Sequence, residues 1–263
     1  MIRPFLRGDD GRREDGRPRG RRGRRDDDGA DRRAQSHVVG VAILLGVTAV
    51  SMAALTATVG TVVESNAAGV DAGRVSADLD AALAPAAVTG HHRGTVSFTD
   101  GRLHTVERTV RVLNASGEVR RLHVGGVVWR SHDHRVAFVA GAVVRGPPGN
   151  AVMDAPPALS VAAGTLAVGV AVVGDERFAY AGGGRVPLST RVSHDRDALG
   201  EGDWRIAVET ETPRPWRAFF ESRGAVTSAR DFDGDGVDSV VAAFPGTREL
   251  HLVEHRLRLE AGR

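Results

Sequence analysis

Apolar residues along this chain change their spacing twice, and each change marks a different kind of element. From Val38 to Val63 the stretch VVGVAILLGVTAVSMAALTATVGTVV carries no charged side chain. As a helix rising about 1.5 Å per residue it would be about 39 Å long, against a hydrocarbon layer of about 30 Å. The pattern therefore predicts a membrane-spanning helix that stays in the mature protein, since a cleaved secretory signal has an apolar stretch of only about 7–15 residues. Beyond Glu64, Ala72, Val75, Leu79, Ala82, Leu83 and Ala86 recur at three- and four-residue steps. Asp71, Arg74, Asp78 and Asp80 take other faces, which predicts an amphipathic stalk that Pro85 and Gly90 bring to an end.

From Gly94 the period becomes two. Val96 and Phe98 alternate with polar residues, Asp100-Gly101 reads as a hairpin turn, and Val106, Val110 and Val112 share one strand face opposite Glu107 and Arg111. A turn at Asn114 to Gly117 precedes a further alternation through Leu122, Val124 and Val128. The continuous apolar runs Val136 to Val144 and Leu166 to Val173 predict strands buried on both faces. Gly146-Pro147-Pro148-Gly149 and Pro156-Pro157 bracket a long connection within one sandwich, with a two-lobed head as the alternative. The last third reads as a strand at Trp204 to Thr210, then a short helix opened by Pro213 and closed by Gly224. That helix packs Trp216, Phe219 and Phe220 into the core, and strands follow at Val237 to Phe244 and Leu250 to Leu259.

Charge changes the picture at the front of the chain. Met1 to Ala34 holds twelve Arg against eight Asp or Glu and almost no apolar side chain beyond Leu6, which predicts a disordered leader. Positive charge beside a first span keeps that end in the cytoplasm, so the residues after Glu64 are expected outside the cell. All 35 basic residues are Arg, yet the formal net charge is only +2, so no nucleic-acid-binding face is indicated. With no Cys, disulfides, thiolate metal sites and thiol nucleophiles are excluded.

At Arg32-Arg33-Ala34-Gln35-Ser36-His37-Val38-Val39-Gly40, basic residues and a small residue precede Gln-Ser at the opening of an unbroken apolar helix. This resembles the class III signal of archaeal type IV pilin-like proteins, especially those of halophilic archaea. The resemblance implies a prepilin peptidase as partner, with Arg32, Arg33, Ala34 and Gln35 as the processing site and the cut between Ala34 and Gln35. It also implies other pilin-like subunits as partners through the helix. Where that family carries an acidic residue near the start of the mature helix, His37 and Val39 stand here, which points away from a major filament subunit. Independently, Ala42, Gly46, Ala49, Ala53 and Ala57 recur at mostly four-residue spacing with Thr48, Ser51, Thr56 and Thr58 nearby, a pattern that favours close helix association and hydroxyl bonds across it.

The sharpest chemical motif is Asp231-Phe232-Asp233-Gly234-Asp235-Gly236-Val237-Asp238. Carboxylates at alternate positions before a glycine bend are the pattern of calcium loops, so Asp231, Asp233, Asp235 and Asp238 are candidate ligands for calcium. Ala242 stands where an EF-hand supplies its bidentate Glu, and the flanks read as strands, so an EF-hand is not expected. His91-His92 and His132-Asp133-His134 also invite a metal reading; His132 and His134 would share one face of a strand and could reach one ion, but no third ligand can be placed, and a solvated turn between the strands ending at Trp129 and starting at Val136 suits them better. No Gly-x-Ser-x-Gly elbow exists, and Gly182-Gly183-Gly184 lacks the Lys and helix of a phosphate loop, so the chain is not expected to be an enzyme. Asn114-Ala115-Ser116 is an N-glycosylation acceptor sequence in a predicted turn.

Together these readings predict an α+β chain: residues 1–34 as leader, 35–89 as transmembrane helix and stalk, and 90–263 as an extracellular antiparallel β-sandwich-like head. The expected function is that of a membrane-anchored, pilin-like structural or assembly protein, located at the cell membrane or in a cell-surface filament, with adhesion or a minor-subunit role. The rival is an uncleaved single-pass surface receptor or calcium-dependent ligand-binding module, and an anchored extracellular enzyme stands third.

Overall fold

The computed structural model describes residues 28–83, 88–174 and 176–261, leaving side chains undescribed at 28–40, 57–65 and 261. The described chain is predominantly β. Three sheets form from sixteen strands among the described residues. In the first sheet the order is β1 (Gly90–Phe98), β12 (Gly184–Gly202), β16 (Arg248–Ala261), β10 (Thr165–Val173) and β9 (Leu159–Ala162). The second runs β11 (Ala179–Ala181), β2 (Arg102–Val106), β5 (Gly126–Ser131), β6 (His134–Val139), β7 (Ala142–Arg145) and β8 (Val152–Ala155). The third runs β14 (Val226–Arg230), β15 (Ser239–Ala243), β13 (Arg205–Glu209), β3 (Thr109–Asn114) and β4 (Gly117–His123). Two helices complete the described elements, α1 (Asp28–Leu83) and α2 (Pro213–Ser222).

The chain divides into two compact units, Met1–Thr58 and Val59–Arg263. In the first, every described side chain of α1 from Val41 to Thr56 is exposed, including Ile43, Leu44, Leu45, Val50 and Leu55. Thr48 and Thr56, expected to bond across a helix contact, instead donate to the carbonyls of Leu44 (2.7 Å) and Met52 (2.8 Å) in their own helix. Among the described residues, no helix is long and apolar enough to cross a membrane. The expected transmembrane anchor is therefore corrected, and with it the localisation and the inside-to-outside orientation built on it. The α+β expectation with its antiparallel sandwich head is corrected as well. Strands dominate, they form three sheets, and β10 runs parallel to β16.

In the second unit the predicted amphipathic pattern of α1 holds at its described positions: Ala72, Val75, Leu79, Ala82 and Leu83 are buried. They join Val96, Phe98, Leu103, Val127, Trp129, Val136, Phe138, Leu188 and Leu257 in one core. A second core gathers Val110, Val112, Val128, Ala137, Val139, Leu250, Ile206, Val208, Val240 and the α2 aromatics Trp216, Phe219 and Phe220. The second sheet lies between the two. Alternate residues of β5 and β6 enter opposite cores, which explains why the run from Val136 is apolar at every position. That run is a hairpin, since Ala140 (φ 51°) and Gly141 (φ 94°) turn the chain between β6 and β7.

Asp100-Gly101 joins strands of different sheets, because β1 pairs with β12 while β2 pairs with β5 and β11. At Gly101 (φ 137°) a side chain would strike the Trp129 indole. The polar face of α1 has its own task. Asp71 is buried and accepts from the Thr99 amide at 2.6 Å, while Asp78 accepts from the Ser97 amide at 2.9 Å. These carboxylates satisfy amides at the end of edge strand β1, which sequence periodicity had placed on faces away from the core.

Leu79 is fully buried at the helix–sheet contact. Leu79→Ala is expected to cost about 2–5 kcal/mol in urea denaturation, whereas Val70→Ala, at an exposed position of the same helix, should change stability by less than about 0.5 kcal/mol.

Candidate functional site

The third sheet has two unlike faces. Val110, Val112, Ile206, Val208, Val240 and Ala242 point into the core, so their neighbours Thr109, Arg111, Ala207, Glu209 and Ser239 emerge on the other side. That second face is polar yet covered: Thr109, Arg111, Glu209 and Ser239 are all buried. Glu209 lies directly opposite Ser239 in the β13–β15 pairing, and Arg111 opposite Ala207.

The acidic stretch between β14 and β15 bends back toward this face. The guanidinium of Arg111 donates to Asp233 at 2.7 Å, and its Nε lies 3.4 Å from Glu118. The Phe232 ring has the Arg111 guanidinium 4.8 Å from its centroid and the Arg230 guanidinium 4.7 Å from it. Within the loop, Asp231 accepts the amides of Asp233 (3.3 Å), Gly234 (2.8 Å) and Gly236 (3.2 Å), while Asp235 accepts that of Val237 (2.8 Å). Gly234 (φ 75°) and Gly236 (φ 83°) supply the left-handed turns that aim these amides inward. The Gly234 amide, ahead of the other loop amides, holds the Asp231 carboxyl below the usual carboxylate range.

Asp231, Asp233 and Asp235 each offer a carboxylate oxygen within 4.8 Å of the others, and all three are exposed. Asp238, the fourth candidate, is outside that group, and its backbone carbonyl accepts the Thr210 amide at 3.0 Å. Glu209 is the carboxylate that periodicity did not single out. Its side chain is 5% exposed, with Arg108 at 3.8 Å. Burial pushes its pKa up, Arg108 opposes this, and the charges of Asp235 and Asp233 add to the rise.

Beside it Glu211 binds Arg108 and Arg130, each at 2.5 Å, and lies 3.5 Å from Arg135. Burial alone would raise the Glu211 pKa, but Arg135, Arg130 and Arg108 outweigh it and leave it below the ordinary value. Burial likewise lowers the Arg135 guanidinium to about 10.

Arg32, Arg33, Ala34 and Gln35 lie within α1, with their side chains outside the described residues. Asn114 ends β3 in a tight hairpin, half-buried, its side-chain oxygen accepting the Ser116 amide at 2.8 Å. His132 (φ 50°) and Asp133 form the two-residue turn between β5 and β6, so the shared strand face imagined for His132 and His134 does not exist. A different pair meets instead: His194 and His255, opposite each other in β12 and β16, touch through their Nδ1 atoms at 2.9 Å. His255 also lines a recess of about 180 Å³ with Asp80, Leu83, Gly141 and Ala171. No local sequence signal links residues so far apart.

The pH response follows from these directions. Glu211, with a depressed pKa, stabilises the fold above the ordinary carboxylate value, and that contribution is lost as pH falls through its folded value; Glu209, with a raised pKa, does the reverse. Glu211→Gln is expected to cost on the order of 3 kcal/mol at pH 7. Its difference from the unsubstituted protein should close as urea midpoints are followed to below about pH 4.

No curated protein and no solved structure matches this chain. Residues 33–260 match a family of unknown function, DUF7289, and the chain belongs to that family.

Proposed function

We propose that this protein is a pilin-like structural protein that assembles with other subunits through the apolar part of α1. The observation that carries the reading is the uninterrupted exposure of Val41, Ile43, Leu44, Leu45, Val47, Val50, Met52 and Leu55. A helix apolar on every side is unfavourable in water unless something covers it, and a patch of this extent marks an interaction surface. Gly46 supports close approach of a neighbouring helix, because it has no side chain to hold that helix away and faces open space. The chain that covers it is a helix of the same kind, from another copy or a related subunit, packed side by side with small residues at the crossings. The resemblance around Ala34-Gln35 adds the maturation step: a prepilin peptidase removes the residues before Gln35 and leaves the apolar helix at the new N-terminus. The β-rich unit then forms the body of each subunit, and the reading includes no catalytic step.

Two measurements test this. Mass spectrometry of protein isolated from its own host should find an N-terminus at Gln35, and a chain retaining residues 1–34 would remove the peptidase from the account. In sedimentation velocity the processed chain should form oligomers. Leu44→Glu with Val50→Glu should shift it to monomer with at least a tenfold weaker association, because each would bury an unpaired charge in the contact. Oligomers that persist unchanged in that double variant would refute association through α1.

A further inference from the structure

A calcium loop of the D-x-D-x-D-G kind supplies oxygens from its first, third and fifth residues, a backbone carbonyl at the seventh, often a water at the ninth, and a bidentate carboxylate at the twelfth. Counted from Asp231, the first, third and fifth positions are Asp231, Asp233 and Asp235, and the sixth is the required glycine, Gly236. The twelfth is Ala242, fully buried on the opposite, apolar face of β15. The loop therefore cannot complete its own shell.

The ninth residue is Ser239. It is 1% exposed, and its hydroxyl has no hydrogen-bond partner, an unfavourable state for a buried polar atom. Cross-strand partners leave a sheet on the same face with Cβ atoms about 5 Å apart, so the Ser239 side chain shares with Glu209 the face on which Arg111 holds Asp233 of the acidic loop. Glu209 itself is buried, with a hydrogen bond from the Thr109 side chain and a loose 3.8 Å ion pair to Arg108. A buried carboxylate and a buried, unsatisfied hydroxyl thus converge beneath three clustered carboxylates.

The geometry points to a calcium site formed by Asp231, Asp233 and Asp235 of the loop and completed from the neighbouring strand by Glu209, with Ser239 contributing directly or through a water. Glu209 takes the place of the missing twelfth-position carboxylate. Asp238, outside the cluster, is not a ligand. Arg111 holds Asp233 through one oxygen and leaves the other for the ion. A hard divalent cation with flexible coordination suits an all-oxygen set that spans a loop and a strand, whereas magnesium demands stricter octahedral geometry.

The test is titration of the full chain with calcium chloride by isothermal calorimetry, paired with melting curves in chelator and in calcium. One calcium per chain is expected, with a Tm that rises with calcium concentration and is not reproduced by equal magnesium. Glu209→Gln should weaken calcium binding at least tenfold, Ser239→Ala several-fold, and Asp238→Asn not at all. Should Glu209→Gln fail to fold, Ser239→Ala and Asp238→Asn still decide between the strand and the loop. Absence of saturable binding up to about 10 mM calcium overturns the proposal. So does calcium affinity unchanged in both Glu209→Gln and Ser239→Ala, or a loss in Asp238→Asn as large as theirs.

Discussion

Strands that are apolar at every position have no face to give to water, and in this protein that constraint organises the β-rich unit. β5 and β6 place Val127, Trp129, Val136 and Phe138 in one core and Val128, Ala137 and Val139 in the other. Both sides of the second sheet must then be covered, one by α1 residues such as Leu79 together with the first sheet, the other by the apolar face of the third sheet and the α2 aromatics. β10 and β16 serve both cores in turn. Leu250 and Leu252 join one and Leu257 and Leu259 the other, with the matching change from Val170 to Ala171 in the paired strand.

The candidate site is a by-product of the same arrangement. Once the third sheet commits Val110, Val208 and Val240 to the core, period two sends Arg111, Glu209 and Ser239 to its far face. A buried guanidinium and a buried carboxylate are costly unless paired, and the acidic loop answers Arg111 through Asp233 and the Phe232 ring. Glu209 receives less opposite charge: a Thr109 hydrogen bond, Arg108 at 3.8 Å and the repulsion of two aspartates. That imbalance, more than the aspartates alone, singles this face out for a cation.

Much of the fold was legible along the chain. The faces of α1 through Leu83, the α2 helix opened by Pro213 and closed near Gly224, and the strands at β13, β15 and β16 all follow from local periodicity and stop signals. Alternation along a strand does not report which strand it pairs with. Asp100-Gly101 looks like a hairpin turn, but only sheet pairing reveals that the chain crosses between sheets there. β12, with nineteen residues and many charges on its exposed face, has no apolar run to mark it, and its length comes from pairing with both β1 and β16.

Spacing and residue type by themselves determined that Asp231, Asp233 and Asp235 would cluster, because an Asx-rich stretch with Gly234 and Gly236 closes on its own amides without outside help. They determined equally which face of α1 seeks a core, since a helix brings i, i+3 and i+4 together wherever it lies. Only the tertiary structure decided that Glu209 and Ser239 stand under that loop, that His194 meets His255, and that Asp71 reaches Thr99. Those partners are dozens of residues apart or belong to different strands, and their meeting depends on sheet order and register, which are set by the sum of many long-range contacts and by no single local pattern.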